Sequence, residues 1–233
     1  MSPLVPYRFL VRIAHPCPYL AELPGNDRPD GRLLSLPESG RLRSYADGQD
    51  QHLFGDIRMG WNEFGLGITL SVTGKRQPPR GDASRPWTGD GLTLWIDTRD
   101  ARNSHRASRY CHQFHLLPYS ADDSELSATF VQSPINRALQ DATQVDPESV
   151  LIRSQRTKVG YELQCFLPAA VLTGYDPDQF PRLGIYYHLR DSELGDQFLA
   201  VGADFPISDD PTLWESLELI RRDDGRFATS ASD

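Results

Sequence analysis

At 233 residues the chain is long enough to bury a core without disulfide staples. Its formal charge of -8 and pI near 5.2 create a field that repels phosphate backbones and anionic lipid, which argues against nucleic acid and membrane surfaces as partners. No stretch reaches the roughly 20 apolar residues that span a bilayer as a helix. Cys17, Cys111 and Cys165 have no CxxC spacing and leave one thiol over if two pair, so a reducing, cytoplasmic setting is the expectation. The opening segment MSPLVPYRFLVRIAHPCPYL is crossed by Arg8, Arg12, His15 and several prolines and does not read as an export signal. An exported chain whose signal had been removed would read the same way.

Eighteen glycines and eighteen prolines cut the chain into short segments whose apolar residues alternate with period two. The first predicted strand is Tyr7 to Ala14, with Tyr7, Phe9, Val11 and Ile13 on one face. In the polar stretch from Gly25 to Gln51, Leu33, Leu34 and Leu36 predict an added strand over 32–36. Further strands are expected at 57–61, 65–73, 91–97, 110–117, 127–131, 150–155, 160–166, 183–190 and 217–220. Two segments read as short helices. One is Pro134 to Ala142; the other, Pro168 to Leu172, opens on a proline suited to a first turn and stops at Gly174. Many short strands joined by turn-rich loops predict an all-β, antiparallel β-sandwich of jelly-roll or immunoglobulin-like type. The expected organisation is one domain over 1–220, with 1–50 packed on it as an N-terminal extension and a frayed tail over 221–233.

The period-two rule assigns faces. In strand 91–97, Leu92, Leu94 and Ile96 form the core side, leaving Thr93, Trp95 and Asp97 opposite. In strand 110–117, His112, Phe114 and Leu116 point inward, and Cys111, Gln113 and His115 do not. In strand 183–190, Ile185, Tyr187 and Leu189 are inward; Tyr186, His188 and Arg190 are outward. If these strands share a sheet, Thr93, Trp95, Gln113, His115, Tyr186, His188 and Arg190 pool into one patch. That mixture suits a saccharide, whose C–H faces lie on aromatic rings and whose hydroxyls take Gln, His and Arg partners. The competing expectation is that the N-terminal strand, or the stretch 25–51, covers the patch and makes it a second, half-polar core.

Other chemistry is weighed in the same way. In RYCHQFH (109–115), His112 and His115 fall on opposite faces and do not share an ion; His115 with His188 has better geometry but no third ligand. The run Arg99, Arg102, His105, Arg106, Arg109 reads as a solvated connecting loop, or otherwise as a site for an anionic sugar or phosphate. Asp122-Asp123, Asp209-Asp210 and Asp223-Asp224 lack the D-x-D-x-D-G spacing of a calcium loop and read as loop tips. The sequence contains no G-x-S-x-G, phosphate loop, H-E-x-x-H or dinucleotide fingerprint, and nothing singles out Glu125 or Glu162 as hydrolytic carboxylates. The chain reads as a non-enzyme.

Trp87, Gly89-Asp90 and the strand Leu92 to Asp97 resemble the W-x-x-D-[apolar]-x-[apolar]-x-I-D signature of family 9 carbohydrate-binding modules and their DOMON-like relatives. MGWNEFGLGITLSVTG before it, Gln113-Phe114 and Gly160-Tyr161-Glu162 after it, and the strand from Leu183 to Asp191 follow the family's order. The resemblance implies a non-catalytic β-sandwich in which two aromatic side chains clamp a sugar ring. Trp87 stands at the first of these, and Phe205 or Trp214 near the second. Where the family has a ligand-bonding Glu and Arg this chain has Thr93 and His115, while Gln113 is kept. Thr73 stands where an acidic residue often occurs, so the calcium seen in some relatives is not supported there, and no cofactor is expected.

Two further readings are carried. One is an intracellular interaction or scaffold domain of the same fold that has lost the sugar site, as the missing Glu and Arg and the absent export signal suggest. The other is a haem-binding redox module, with Met59 and His112 or His115 as the conceivable axial ligands. The expected ligand residues are Trp87 as stacking platform, Trp95 and Tyr186 as added aromatic surface, and Gln113, His115, His188 and Arg190 as polar partners.

Overall fold

The computed structural model describes residues 13–24, 33–44, 52–120, 126–202 and 204–221. They form strands β1 (Ala14–Pro18), β2 (Gly55–Asn62), β3 (Gly65–Thr73), β4 (Gly91–Asp97), β5 (Cys111–Ser120), β6 (Leu126–Ser133), β7 (Leu151–Thr157), β8 (Gly160–Pro168), β9 (Arg182–Asp191), β10 (Gly195–Phe198) and β11 (Glu215–Ile220). One sheet runs β1-β11-β9-β4-β5-β6, with β10 paired to β9; the other runs β2-β3-β8-β7.

The two sheets meet through the alternating apolar residues. The β2–β3 hairpin turns at Glu63-Phe64 and pairs Ile57 with Leu70, Met59 with Ile68 and Trp61 with Leu66. On the other side of β3, Tyr161, Leu163, Cys165 and Leu167 of β8 continue the same buried face. Opposite them lie Leu92, Leu94 and Ile96 of β4, Phe114 and Leu116 of β5, and Leu183, Ile185, Tyr187 and Leu189 of β9, all in one cluster. Removing each such aliphatic or aromatic side chain from water contributes about 1.5–3 kcal/mol, so this face fixes the register of both sheets.

Most predicted strands are present, and the differences have physical causes. The predicted strand 7–14 lies almost wholly outside the described residues. The first described strand instead begins at Ala14 and runs parallel to β11, departing from the antiparallel pattern; as an edge strand it tolerates Pro16 and Pro18, which lack a donor. The stretch 33–36 is extended but joins no ladder: the Leu33 and Leu34 amides donate to Gln164 Oε1 at 2.7 and 3.0 Å. Leu33, Leu34 and Leu36 pack with Leu20, Leu23 and Phe166 in a small cluster, where Gly60 and Gly67 leave them room. No helix forms over 134–142, and Pro168 leads only into a 3-10 turn at Ala169–Val171. β10 was not expected.

A single amide joins the two sheets at that strand. Gln197 Oε1 accepts from the Phe54 and Gly55 amides at 2.9 and 2.8 Å, while Nε2 donates to Gly55 O at 2.9 Å and Tyr187 Oη at 3.0 Å. Gln197→Leu strands these buried groups and is expected to lower stability by about 3 kcal/mol, read as a lower urea midpoint at unchanged slope.

His15, His112 and His115 are buried, and desolvation pushes each down to about 4. Between pH 4 and 6.5 the unfolded chain therefore holds more protons than the folded one, so stability rises with pH across that window and flattens above it. Each histidine accounts for an effect of the order of 3 kcal/mol at full protonation of the unfolded state. The expected measurement is a melting temperature that falls steadily as pH drops below 6.5, with a shallower slope in His115→Gln.

Candidate functional site

The register brings Thr93, Trp95, Gln113, His115, Tyr186, His188 and Arg190 onto one face of the larger sheet, as alternation requires: Trp95 pairs with both Gln113 and Tyr186, and Thr93 with both His115 and His188. The open shelf expected of them does not exist, however. Trp95 is 6% exposed, Tyr186 0% and His115 1%. The predicted strand 7–14 lies almost wholly outside the described residues, as do 25–32 and 45–51. Among the described residues, Ala107, Ile135, Leu199, Ala200, Val201 and Ile207, on loops that follow the sheet strands, are buried in the same cluster as Trp95 and Tyr186, and the Tyr186 hydroxyl donates to Val201 O.

Inside this layer the polar groups satisfy one another. Thr93 Oγ1 and His115 Nδ1 are 2.9 Å apart, His115 Nε2 lies 3.1 Å from Ser133 Oγ and 3.3 Å from Gln113 Nε2, and the Trp95 indole N–H donates to Gln113 Oε1 at 3.1 Å. Gln113 and Ser133 are half-buried, so the network reaches water only at its margin.

The arginine run lies on a connecting loop where His105, Arg106 and Arg109 are exposed, while Arg99 and Arg102 are partly buried and fasten neighbouring loops. The Arg99 guanidinium sits between the Tyr110 and Phe180 rings, 4.5 and 3.7 Å from their centroids, and donates to Gly174 O. Arg102 bonds Trp214 O and, at 2.7 Å, Ser216 Oγ. Arg106 Nε donates to Arg137 O at 2.8 Å, and His105 Nδ1 lies 2.8 Å from Asp210.

Trp87, His188 and Arg190 come together elsewhere, at the end of the sheet where β4 begins and β9 ends. The loop before β4 turns at Asp82, whose Oδ1 accepts from Ser84 N and Arg85 N at 2.9 and 3.2 Å. It turns again where Thr88 N donates to Arg85 O at 2.9 Å. Gly89 is required because a Cβ there would lie 2.4 Å from Arg80 O. Pro86 is buried, and Trp87 next to it projects with 59% of its surface exposed, whereas Trp61, Trp95 and Trp214 are buried. Arg190 Nη1 donates to Trp87 O at 2.7 Å. Its Nε lies 3.6 Å from Asp196 Oδ1, which also holds His188 Nε2 at 2.7 Å. The His188 ring stacks on Phe198 at 4.3 Å; burial lowers its pKa, opposed by the Asp196 carboxylate. Asp196 and Phe198 belong to the unforeseen β10. The turn D-S-E-L-G after β9 was the signal that could have announced that hairpin.

Of the remaining candidates, Trp214 is buried with its indole N–H donating to Ile207 O at 2.8 Å, and Phe205 packs half-buried against the core; neither is an open ring. Met59 and His112 are both enclosed, His112 stacking on Phe114 at 5.3 Å, while His115 lies on the other face of β5. Among the described residues no three His, Cys, Asp or Glu side chains gather as metal ligands. On the other sheet, a polar cleft of about 660 Å³ is lined by Asp56, Arg58, Thr69, Ser71 and Glu162. Arg58 there is tied to Asp56 at 2.8 Å and Glu38 at 2.7 Å.

No protein-family model matches the chain, and no curated protein matches it. Among solved structures, it is similar to a family 9 carbohydrate-binding module from Caldicellulosiruptor kristjanssonii in complex with cellotriose, at 11% identity and a TM-score of 0.58, covering 94% of this chain and 100% of that one. A family 9 module from the same organism in complex with glucose is also similar, at 11% identity and a TM-score of 0.48 over 75% and 80% of the two chains. The chain thus has the β-sandwich fold of a family 9 carbohydrate-binding module.

Proposed function

We propose that the protein is a non-catalytic carbohydrate-binding β-sandwich that meets its saccharide at the Trp87 end of the larger sheet. The observation that carries this reading is the exposed Trp87 indole on a loop fastened at several points. A large apolar ring carried into water on such a loop is a ready stacking surface for the C–H face of a pyranose. Arg190, His188 and Asp196 lie at its base and offer donors and acceptors for ring hydroxyls. The cellotriose held by the structural neighbour supports a neutral sugar as the ligand class. Trp95, Tyr186, Gln113 and His115 serve as the packed layer that carries this end of the sheet, with Gln113 at its margin.

A second reading is favoured by one observation: Trp214 is buried and Phe205 half-buried, so neither is an open ring to complete a clamp with Trp87. A one-sided platform also suits an interaction domain of the same fold in which Trp87 anchors a protein partner, since Trp is enriched at such anchors.

Trp87→Ala decides the matter. In the saccharide reading it abolishes retention of the protein on the immobilised glycan that the parent binds, and changes stability by no more than about 1 kcal/mol, as for a surface residue. A parent that binds nothing on a broad glycan array leaves the interaction-domain reading.

A further inference from the structure

The loop that carries Trp87 starts and ends at one buried ion cluster. The Lys75 ammonium lies 3.2 Å from Asp90 Oδ2 and 2.9 Å from Asp191 Oδ1, with the lysine side chain 1% exposed and both carboxylates 0%. Lys75 follows β3, Asp90 precedes β4 and Asp191 ends β9, so three chain segments meet at one point. Each carboxylate in turn holds backbone. Asp90 accepts from Arg80 N at 2.7 Å and Ser192 N at 2.6 Å. Asp191 Oδ1 accepts from Glu193 N and Leu194 N at 2.9 and 3.0 Å. Glu193 returns to the loop, accepting from Arg76 N and Gln77 N at 2.9 and 3.0 Å. The neighbouring Arg190 reaches the Trp87 carbonyl.

Two carboxylates enclosed side by side repel each other and are costly without a counter-charge. Paired carboxylates beside a loop are commonly bridged by an oxygen-seeking divalent cation; here a side-chain ammonium with three donors stands between them. Among the described residues, Lys75 is the cation within ion-pair distance of Asp90 and Asp191. The Tyr161 hydroxyl and Asp191 Oδ2 are buried nearby without hydrogen-bond partners among the described residues; a neutral phenol there does not supply the positive charge that Lys75 does.

We infer that Lys75 is a built-in counter-ion and a positioning residue for the Trp87 loop, which therefore keeps its binding shape without a divalent cation. Its consequence for sugar retention rests on the saccharide reading above; the ordering of the loop does not.

Residue-resolved hydrogen exchange on the full chain tests this. Lys75→Met is expected to reduce protection of the Arg80, Ser192, Glu193 and Leu194 amides by about tenfold or more while the amides of β5 and β8 keep theirs, because the opening is local. Retention on the glycan the parent binds should weaken in parallel. If Lys75→Met does not fold, Lys75→Met with Asp191→Asn removes one charge of each sign and is read at the same amides. Adding calcium or EDTA to the parent should leave those amides unchanged. Unchanged protection in the variants, a uniform loss across both sheets, or a calcium-dependent change in the parent would each overturn the assignment. A parent that binds no glycan defeats the saccharide reading alone, and the exchange result still decides the role of Lys75.

Discussion

The central strands of the larger sheet bury both of their faces, and the placement of every candidate site residue depends on that constraint. β4 is buried at each of its positions. In a strand enclosed on both sides each stranded donor or acceptor costs about 1–3 kcal/mol. Thr93, Trp95 and Asp97 accordingly spend their hydrogen bonds inward. Asp97, for instance, accepts from Arg99 N and Ala101 N at 2.9 and 2.7 Å, even though burial raises its pKa. Side chains that look like sugar ligands on paper are already occupied in holding the second layer together.

Sealing that layer takes loops, and the loops need fasteners that do not depend on a ladder. Arginine suits the task because its flat guanidinium reaches several carbonyls at once and stacks on rings, which a lysine ammonium does not. Arg99 between Tyr110 and Phe180, and Arg102 on Trp214 O and Ser216, show both uses. Two guanidinium groups of the run are thereby used internally, while Arg106 and Arg109 stay exposed. At the end of this sheet the loop before β4 has a fastener of its own, the buried Lys75.

Much of the fold was legible because period two survives in the strands themselves. The run Gly55 to Thr73 alternates cleanly on both sides of a two-residue turn, and its observed register places Trp61 opposite Leu66. β10 was not legible, being four residues long with Gly and Asp at its start. β1 was obscured by two prolines that only an edge position tolerates. Alternation says which residues share a face but not whether water or a distant loop lies over it. That is why Tyr186 was placed on the correct face and yet expected in solvent: its cover, Val201, lies 15 positions along the chain. The role of Lys75 is not legible for a similar reason, since a single lysine after a strand ordinarily reads as solvated.

The four tryptophans show what this arrangement implies for recognition. Three fill the core or the sealed layer; Trp87 alone is held out, its backbone tied through Arg190 and its loop through Asp82 and Asp90. A loop fastened before contact loses little backbone freedom on binding, and that saving appears as affinity. On the proposed saccharide reading, one platform supplies only part of the apolar contact that a two-sided clamp would. Strong attachment through such a surface then requires several contacts made at once, along a repeating polymer or by linked copies of the domain, because effective concentration multiplies weak sites where geometry permits simultaneous engagement.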